Sequence, residues 1–375
     1  MKKIENIRDL SIQYHLKDCN IIKIINKNAL YNNIKVFKKL CGKSKIYAVV
    51  KANAYGLGDE LIVNLIKNRV DFFAVANFDE AFRVRKWTNK PILILGEIDY
   101  NNIEDCINNN ISLSVSNEKS LKQINKVAVR INKVAKIHFK INTGMNRLGF
   151  KNLNTFLYVY NKYKNKENII YEGIFSHIYD ADNYEKTKKQ KHIFDTFLNS
   201  IDNQNLIKHI ASTSVCLKYS NMNYDMCRIG IGLYNYAPNN KYFLQPILSL
   251  KTKIINIIKI NKNENVGYGC GFVANKKMKI AVLPIGYADG LSRLLSNKSK
   301  VLLKNNFCNI IGNVCMDMCF IDVTNVACKI GDIVTIIGKE NDKEINAVDI
   351  AKIVGSIDYE VITNINNARS KNLVI

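Results

Sequence analysis

A chain of 375 residues, 47% of them apolar, can bury a large core, which argues against intrinsic disorder and leaves room for two domains. Its 55 lysines and arginines against 32 acids give a net charge of +23, but the cations are scattered through a Lys-, Asn- and Ile-rich chain without interleaved aromatics, so the basic patch of a nucleic-acid binder is missing. Ten cysteines without C-x-x-C or zinc spacing, an N-terminus without an apolar signal core, and no run of about 18 apolar residues predict a reduced, cytoplasmic protein with no membrane span.

From residue 47 to about 231, apolar runs alternate with amphipathic stretches. Strands are predicted at IYAVVK (46–51), DFFAVA (71–76), PILILG (91–96) and SLSV (112–115), then at AKIHFKI (135–141), IIYEGIFSH (169–177), LIKHIA (206–211) and MCRIGI (226–231). Helical stretches intervene, such as DELIVNLIKN, where Leu61, Ile62, Leu65 and Ile66 fall on one face, and FDEAFRVRKW. Strand–helix alternation implies parallel βαβ units. Eight of them predict a (β/α)8 barrel over 21–246, with a doubly wound open sheet as the rival. After Pro246 the helices fade. LSLKTKIINIIKI, KIAVLPIGYA, KVLLKN, MCFIDVT and DIVTIIGK read as strands of a mainly β domain over 247–375. Residues 1–20 form an N-terminal extension.

A barrel exposes its chemistry at the C-terminal ends of its strands. Lys51 ends the first predicted strand, Lys140 the fifth and His177 the sixth; Ser212 and Thr213 follow the seventh; Arg228 lies in the eighth, before Gly230, Ile231 and Gly232. A strand-end lysine alone is an ordinary solvated tip. Together these residues fall at one end of one barrel. The loops after strands seven and eight are the usual phosphate cradle of such barrels, and here they offer two hydroxyls and a glycine-flanked backbone. A lysine facing a phosphorylated aldehyde forms a Schiff base once its pKa is lowered, which points to pyridoxal 5'-phosphate.

These motifs resemble the alanine racemase family of pyridoxal-phosphate enzymes (fold type III). AVVKANAYGLG resembles the family's cofactor-lysine motif. HFKINTGMNRLG, GIFSHIYDAD, RIGIGLYNY, VGYG, PIGYADGLSR, VCMDMCFIDVT and SIDYEV follow in the family's order. The resemblance implies an isomerase that interconverts L- and D-alanine with two bases, Lys51 and Tyr268. Lys51 also holds the cofactor covalently and acts on the D-enantiomer; Tyr268 acts on the L-enantiomer and comes from the partner of a homodimer with shared active sites. It further implies that Arg228 faces the pyridine nitrogen and that His177 orients Arg228. Arg147 contacts the ring's phenolic oxygen, and Tyr55, Ser212, Thr213, Gly230, Ile231 and Tyr359 bind the cofactor's phosphate end. Met316 and Asp317 of the partner line the substrate site together with Arg147. Lys140 matches a lysine that the family can carbamylate. D-alanine for peptidoglycan is the implied use, and no metal is implied.

The chain departs from the family pattern at Leu57 (usually His), Asn142 (usually Asp), Asn313 (usually Arg) and Asn235 (usually Gly), and it keeps Arg369 alone of a C-terminal arginine pair. None of these carries proton transfer. The competing readings are a racemase of another small amino acid such as serine, a barrel-type decarboxylase, and a non-catalytic pyridoxal-phosphate-binding protein. The retained Tyr268 and Cys315-Met316-Asp317 speak against the decarboxylase, and the second domain speaks against the carrier.

Overall fold

The computed structural model describes residues 12, 14–234, 242–365 and 368–375. Asn235 and most of the N-terminal extension lie outside them. Among the described residues no helix is long and apolar enough to cross a membrane. Contacts divide the chain into two units. One holds Ala29–Ala54 and Gly58–Pro246; the other holds the residues up to Asn28, Tyr55–Leu57 and Ile247–Ile375.

The first strand, β1 (Ile21–Ile25), corrects the expected barrel boundary at residue 21. It pairs antiparallel with Leu248–Lys253 and parallel with Lys371–Val374, so it is a strand of the β unit. The barrel unit begins after it.

Eight parallel strands build the barrel: β2 (Lys45–Val49), β3 (Phe72–Val75), β4 (Ile92–Ile94), β5 (Ile111–Val115), β6 (Ala135–Lys140), β7 (Ile169–Phe175), β8 (Ile207–His209) and β9 (Met226–Ile229). They pair in chain order from β2 to β8, with β9 returning beside β2. A single bridge, Ser212 to Arg228, and the bond from Arg228 N–H to Ala211 O at 2.9 Å nearly close the ring. The strands read as continuous apolar runs because both faces of such a sheet are covered, and β4 and β5 are buried at every position. All eight predicted strands are present, shorter by one or two residues at most ends. In helix Asp59–Ile66 the buried face is Asp59, Ile62, Val63 and Ile66. The predicted face is therefore rotated toward Val63, leaving Leu61 and Leu65 half-buried.

The β unit is built on a 10-stranded sheet. LSLKTKIINIIKI is two strands, Leu248–Lys253 and Asn256–Ile260, not one. The sequence reading also missed Asn306–Ile311, the C-terminal strand, and the helices Ala347–Val354 and Asp358–Thr363. Ile12 and Leu16 pack on Ile22 and Ile24, so the described part of the N-terminal extension belongs to this unit's core. Leu57 is fully buried in the same unit. An apolar letter there fits its surroundings.

Candidate active site

The backbone after β2 is unusual. Ala52, Asn53, Ala54 and Tyr55 have φ of 52°, 55°, 50° and 56°, a full left-handed turn directly after Lys51. Each such residue costs about 1–2 kcal/mol when it is not glycine, so the turn persists only where its surroundings hold it. They do. Ala52 N–H donates to Glu80 Oε1 at 2.7 Å, Gly58 N–H to Asn53 O at 3.0 Å and Asp59 N–H to Asn53 Oδ1 at 2.7 Å. The other oxygen of Glu80 takes Ala76 N–H at 2.7 Å, tying the ends of β2 and β3 together. This turn fixes where Lys51 leaves the barrel. Lys51 is half-buried, and burial, then Arg147, hold its pKa below the ordinary lysine value against the opposing pull of Glu80.

Three more cations join it at the mouth. Lys140, at the end of β6, is buried and donates to Leu95 O at 2.9 Å. Burial, then Arg147 and Arg228, lower its pKa to about 8, which Glu97 partly opposes. Arg147 is exposed in the loop after β6. Arg228, in β9, is buried, and its pKa is lowered to about 10 chiefly by burial. His177 is neutral at working pH, held at about 3 by burial, then by Arg228, Arg147, Lys51 and Lys140. Cations crowded together, with Lys51, Lys140 and Arg228 each lowered in part by their neighbours, favour an anionic ligand.

The structure corrects the expected holder of Arg228. Its Nη1 donates to His209 Nδ1 at 2.7 Å and to His209 O at 2.9 Å, whereas His177 Nδ1 stands 3.5 Å from Nη2. His209 is the main imidazole partner, and the sequence reading missed it. Nη2 also donates to Ser176 O at 2.6 Å and Ile210 O at 3.2 Å. Four of five donors are thereby spent, and Nε–H is the one left over.

The network continues inward with one possible direction. An arginine can only donate, so His209 Nδ1 accepts and its Nε2 carries the proton. Nε2 then donates to His138 Nδ1 at 3.0 Å, and His138 Nε2 donates to Glu172 at 2.9 Å. Glu172 also accepts from Ser112. Burial would raise the pKa of Glu172, but the bonds from His138 and Ser112 hold it low, so a carboxylate ends the relay. Gly173 makes the relay possible: a Cβ there would fall 2.3 Å from His138 Nδ1.

The residues expected to cradle a phosphate lie together in the barrel unit. Thr213 Oγ1 accepts from Gly230 N–H at 3.3 Å and Gly232 N–H at 3.4 Å, leaving its own proton to donate. A Cβ on Gly232 would meet Thr213 Cγ2 at 2.6 Å, so only glycine lets that backbone approach. Ser212 precedes helix Thr213–Lys218 without spending its hydroxyl on a cap. Ile231 is buried at the start of the next turn.

The remaining expected residues belong to the β unit. Tyr55 is buried there, its ring 6.1 Å from that of Tyr359, whose pKa burial and then Asp358 raise to about 12. The buried Lys23 donates to Gly56 O at 2.9 Å and was not foreseen from sequence. Tyr268 is 75% exposed on a tight turn containing Gly269 (φ 64°) and Cys270 (φ 50°). Asn313 Nδ2 holds that turn by donating to Tyr268 O at 2.8 Å. Met316 and Asp317 are exposed; Arg369 bridges Asp317 at 2.8 Å and Asp289 at 3.0 Å. Asn142 Oδ1 accepts from Gly144 and Asn146 N–H, the turn an aspartate would make.

A (β/α)8 barrel with a pKa-lowered lysine at its first strand end, a phosphate cradle after its last two strands and a second β unit defines a barrel-type pyridoxal-phosphate enzyme. The residues present fit that group: the cations crowded at the barrel mouth suit an anion, and Nε–H is the donor of Arg228 left for an acceptor. The family models agree. The alanine racemase N-terminal domain matches residues 25–238 and the C-terminal domain residues 247–373. An alanine racemase of Methanococcus maripaludis is 36% identical over 90% of this chain and 94% of its own. An alanine racemase of Clostridium difficile 630 superposes with a TM-score of 0.87 at 31% identity, covering 95% of this chain and 96% of its own. One from Bacillus anthracis, solved with bound L-Ala-P, gives 0.89 at 27% identity, covering 95% of each. The chain belongs to the alanine racemase family. It is a pyridoxal-phosphate-dependent racemase, an isomerase.

Proposed function

We propose that the protein interconverts L- and D-alanine, with Lys51 as the base on one face of the substrate's α-carbon and Tyr268 of a second copy as the base on the other. The observation that carries this reading is the half-buried, pKa-lowered Lys51 among cations at the barrel mouth. The relatives' names support alanine as substrate. Pyridoxal phosphate, when bound, supplies an electron-withdrawing ring that acidifies the α-proton of the attached amino acid.

The chain's own residues set the rest. Lys51 holds the cofactor, and its lowered pKa makes the neutral amine available to take the α-proton of D-alanine. Arg228 would offer Nε–H toward the ring nitrogen and, as a guanidinium, would not surrender that proton, which would leave the cofactor a weaker electron sink. His209, with His177 at longer range, holds the guanidinium in place. Ser212, Thr213, Gly230, Ile231, Tyr55 and Tyr359 hold the phosphate. Arg147 would contact the phenolic oxygen and, with the partner's Met316 and Asp317, would line the substrate site near the substrate's carboxylate. Exposed Tyr268 (75%), Met316 (54%) and Met318 (44%) support a homodimer that covers this apolar edge. We assign the enzyme to the cytoplasm, supplying D-alanine for the cell wall.

The test is racemisation by purified protein with added pyridoxal phosphate, run with L-alanine and L-serine. In D2O, Tyr268→Phe is expected to exchange the α-proton of D-alanine but not of L-alanine. Wild-type racemisation by that variant would sink the Tyr268 assignment. Turnover of L-serine in preference to L-alanine would move the substrate, and no turnover of any amino acid would point to a carrier.

A further inference from the structure

Three cysteines far apart in sequence meet in the barrel unit. Cys41 ends helix Lys27–Cys41, Cys216 lies in helix Thr213–Lys218 and Cys227 is in β9, pointing away from the neighbouring Arg228 as strand residues alternate. All are buried, with exposures of 4%, 2% and 0%, and their sulfurs lie within 4.8 Å of one another. Cys41 and Cys216 are 3.5 Å apart. Thiolates bound to one ion at about 2.3 Å each stand roughly 3.5–4.5 Å apart, so little movement is needed. Among the described residues no other group of His, Cys, Asp and Glu is so arranged.

A second observation falls beside the triad. Asn223 O accepts from Cys227 Sγ at 3.9 Å, and Asn223 Nδ2 donates to Leu40 O at 3.0 Å, next to Cys41. Asn223 is 5% exposed, yet its Oδ1 has no hydrogen-bond partner. A buried amide oxygen left unpaired is costly, and it belongs to the residue whose backbone O meets Cys227 and whose Nδ2 meets the carbonyl before Cys41.

We infer that Cys41, Cys216 and Cys227 form a binding site for a soft d10 cation, Cu(I), held by three sulfurs. Soft thiolates without imidazole or carboxylate select such an ion over harder ones. Binding releases protons from the ligating thiols and transfers no electron. A disulfide between Cys41 and Cys216 would use two sulfurs and strand the third. The ion would join helix Lys27–Cys41, helix Thr213–Lys218 and β9, elements that lead into the Thr213–Gly232 cradle; the inference itself stands without the catalytic reading.

The test is anaerobic titration of reduced holoenzyme with Cu(I) buffered by bicinchoninate, added to folded protein and during refolding. One retained equivalent is expected, kept in Cys270→Ala and lost in Cys216→Ala. X-ray absorption of the loaded wild type, which needs no variant to fold, should show three sulfurs at about 2.3 Å. Retention by Cys216→Ala, no retained copper in the wild type, tighter binding of Zn(II) than of Cu(I), or a Cys41–Cys216 disulfide in protein purified without reductant would overturn the inference.

Discussion

The barrel mouth and the Tyr268 edge of the β unit are both expected to carry catalysis, and they are built in opposite ways. Lys140, Arg228 and His209 are buried, and each donor of Arg228 but one is spent on a named acceptor. Tyr268 and Met316 instead stand in solvent, with Asn313 holding only the backbone of the Tyr268 turn. A preorganised polar network keeps its geometry without help, whereas a largely exposed tyrosine whose turn is held by one side-chain bond to its backbone does not. On the proposed reading the barrel unit is the preorganised half-site and the Tyr268 edge the half that a second copy would complete.

The largest expected effect breaks the preorganised half. Lys51→Ala removes both the covalent attachment and a base, so racemisation should fall by about 10⁴-fold or more, with loss of the visible absorbance of lysine-bound cofactor; retained absorbance would refute the role. Tyr268→Phe should cost about 10²–10⁴-fold in turnover and leave that absorbance intact, because this residue belongs to the other half. Glu172→Gln keeps an acceptor for His138 but removes the charge that ends the relay. Urea melts should show a loss of about 1.5–3 kcal/mol. Asn313→Ala removes one hydrogen bond from the Tyr268 turn and should lower turnover by roughly 3- to 10-fold, the equivalent of about 0.7–1.4 kcal/mol, without changing the cofactor spectrum.

A pH experiment compares the two units through one lysine each. Burial alone lowers the pKa of Lys23 from 10.5 to about 8; burial and neighbouring cations do the same to Lys140. Between about 8 and 10.5 the unfolded chain binds protons that the folded chain does not. Stability from each group therefore rises with pH across that window, and its cost is fully present below it. Lys23→Met should flatten the rise in melts of protein with and without cofactor. Lys140→Met should flatten it chiefly without cofactor, since the bound cofactor's phenolic oxygen would offset Arg147, the cation that most lowers Lys140.

Much of this was legible in the sequence because local signals agreed. Apolar runs ending in Lys51 and Lys140, and the run that carries Arg228, gave the strands and the end of the barrel where chemistry is expected, and the ordered motifs gave the family. The misses are contacts made across the fold. His209 lies in a strand of only three residues and reads as a core histidine, while Glu172 reads as a polar letter in a strand; only barrel closure brings either toward Arg228. β1 reads as the start of the barrel, because strand pairing between positions more than 200 residues apart leaves no local trace. The thiol triad, drawn from positions 41, 216 and 227, has no spacing signature at all. Asn313 looked like a lost arginine, and its bond to Tyr268 O gives it a use.

The central claim is that the two half-sites are joined between copies of the chain. Lys51→Ala and Tyr268→Phe proteins, each inactive alone, should be unfolded together in equal amounts and refolded with pyridoxal phosphate. Random pairing into dimers restores one intact site in half of them, so roughly a quarter of wild-type activity is expected. A mixture as inactive as its components, with dimers confirmed to have exchanged, would contradict the account and put Lys51 and Tyr268 of one site on a single chain.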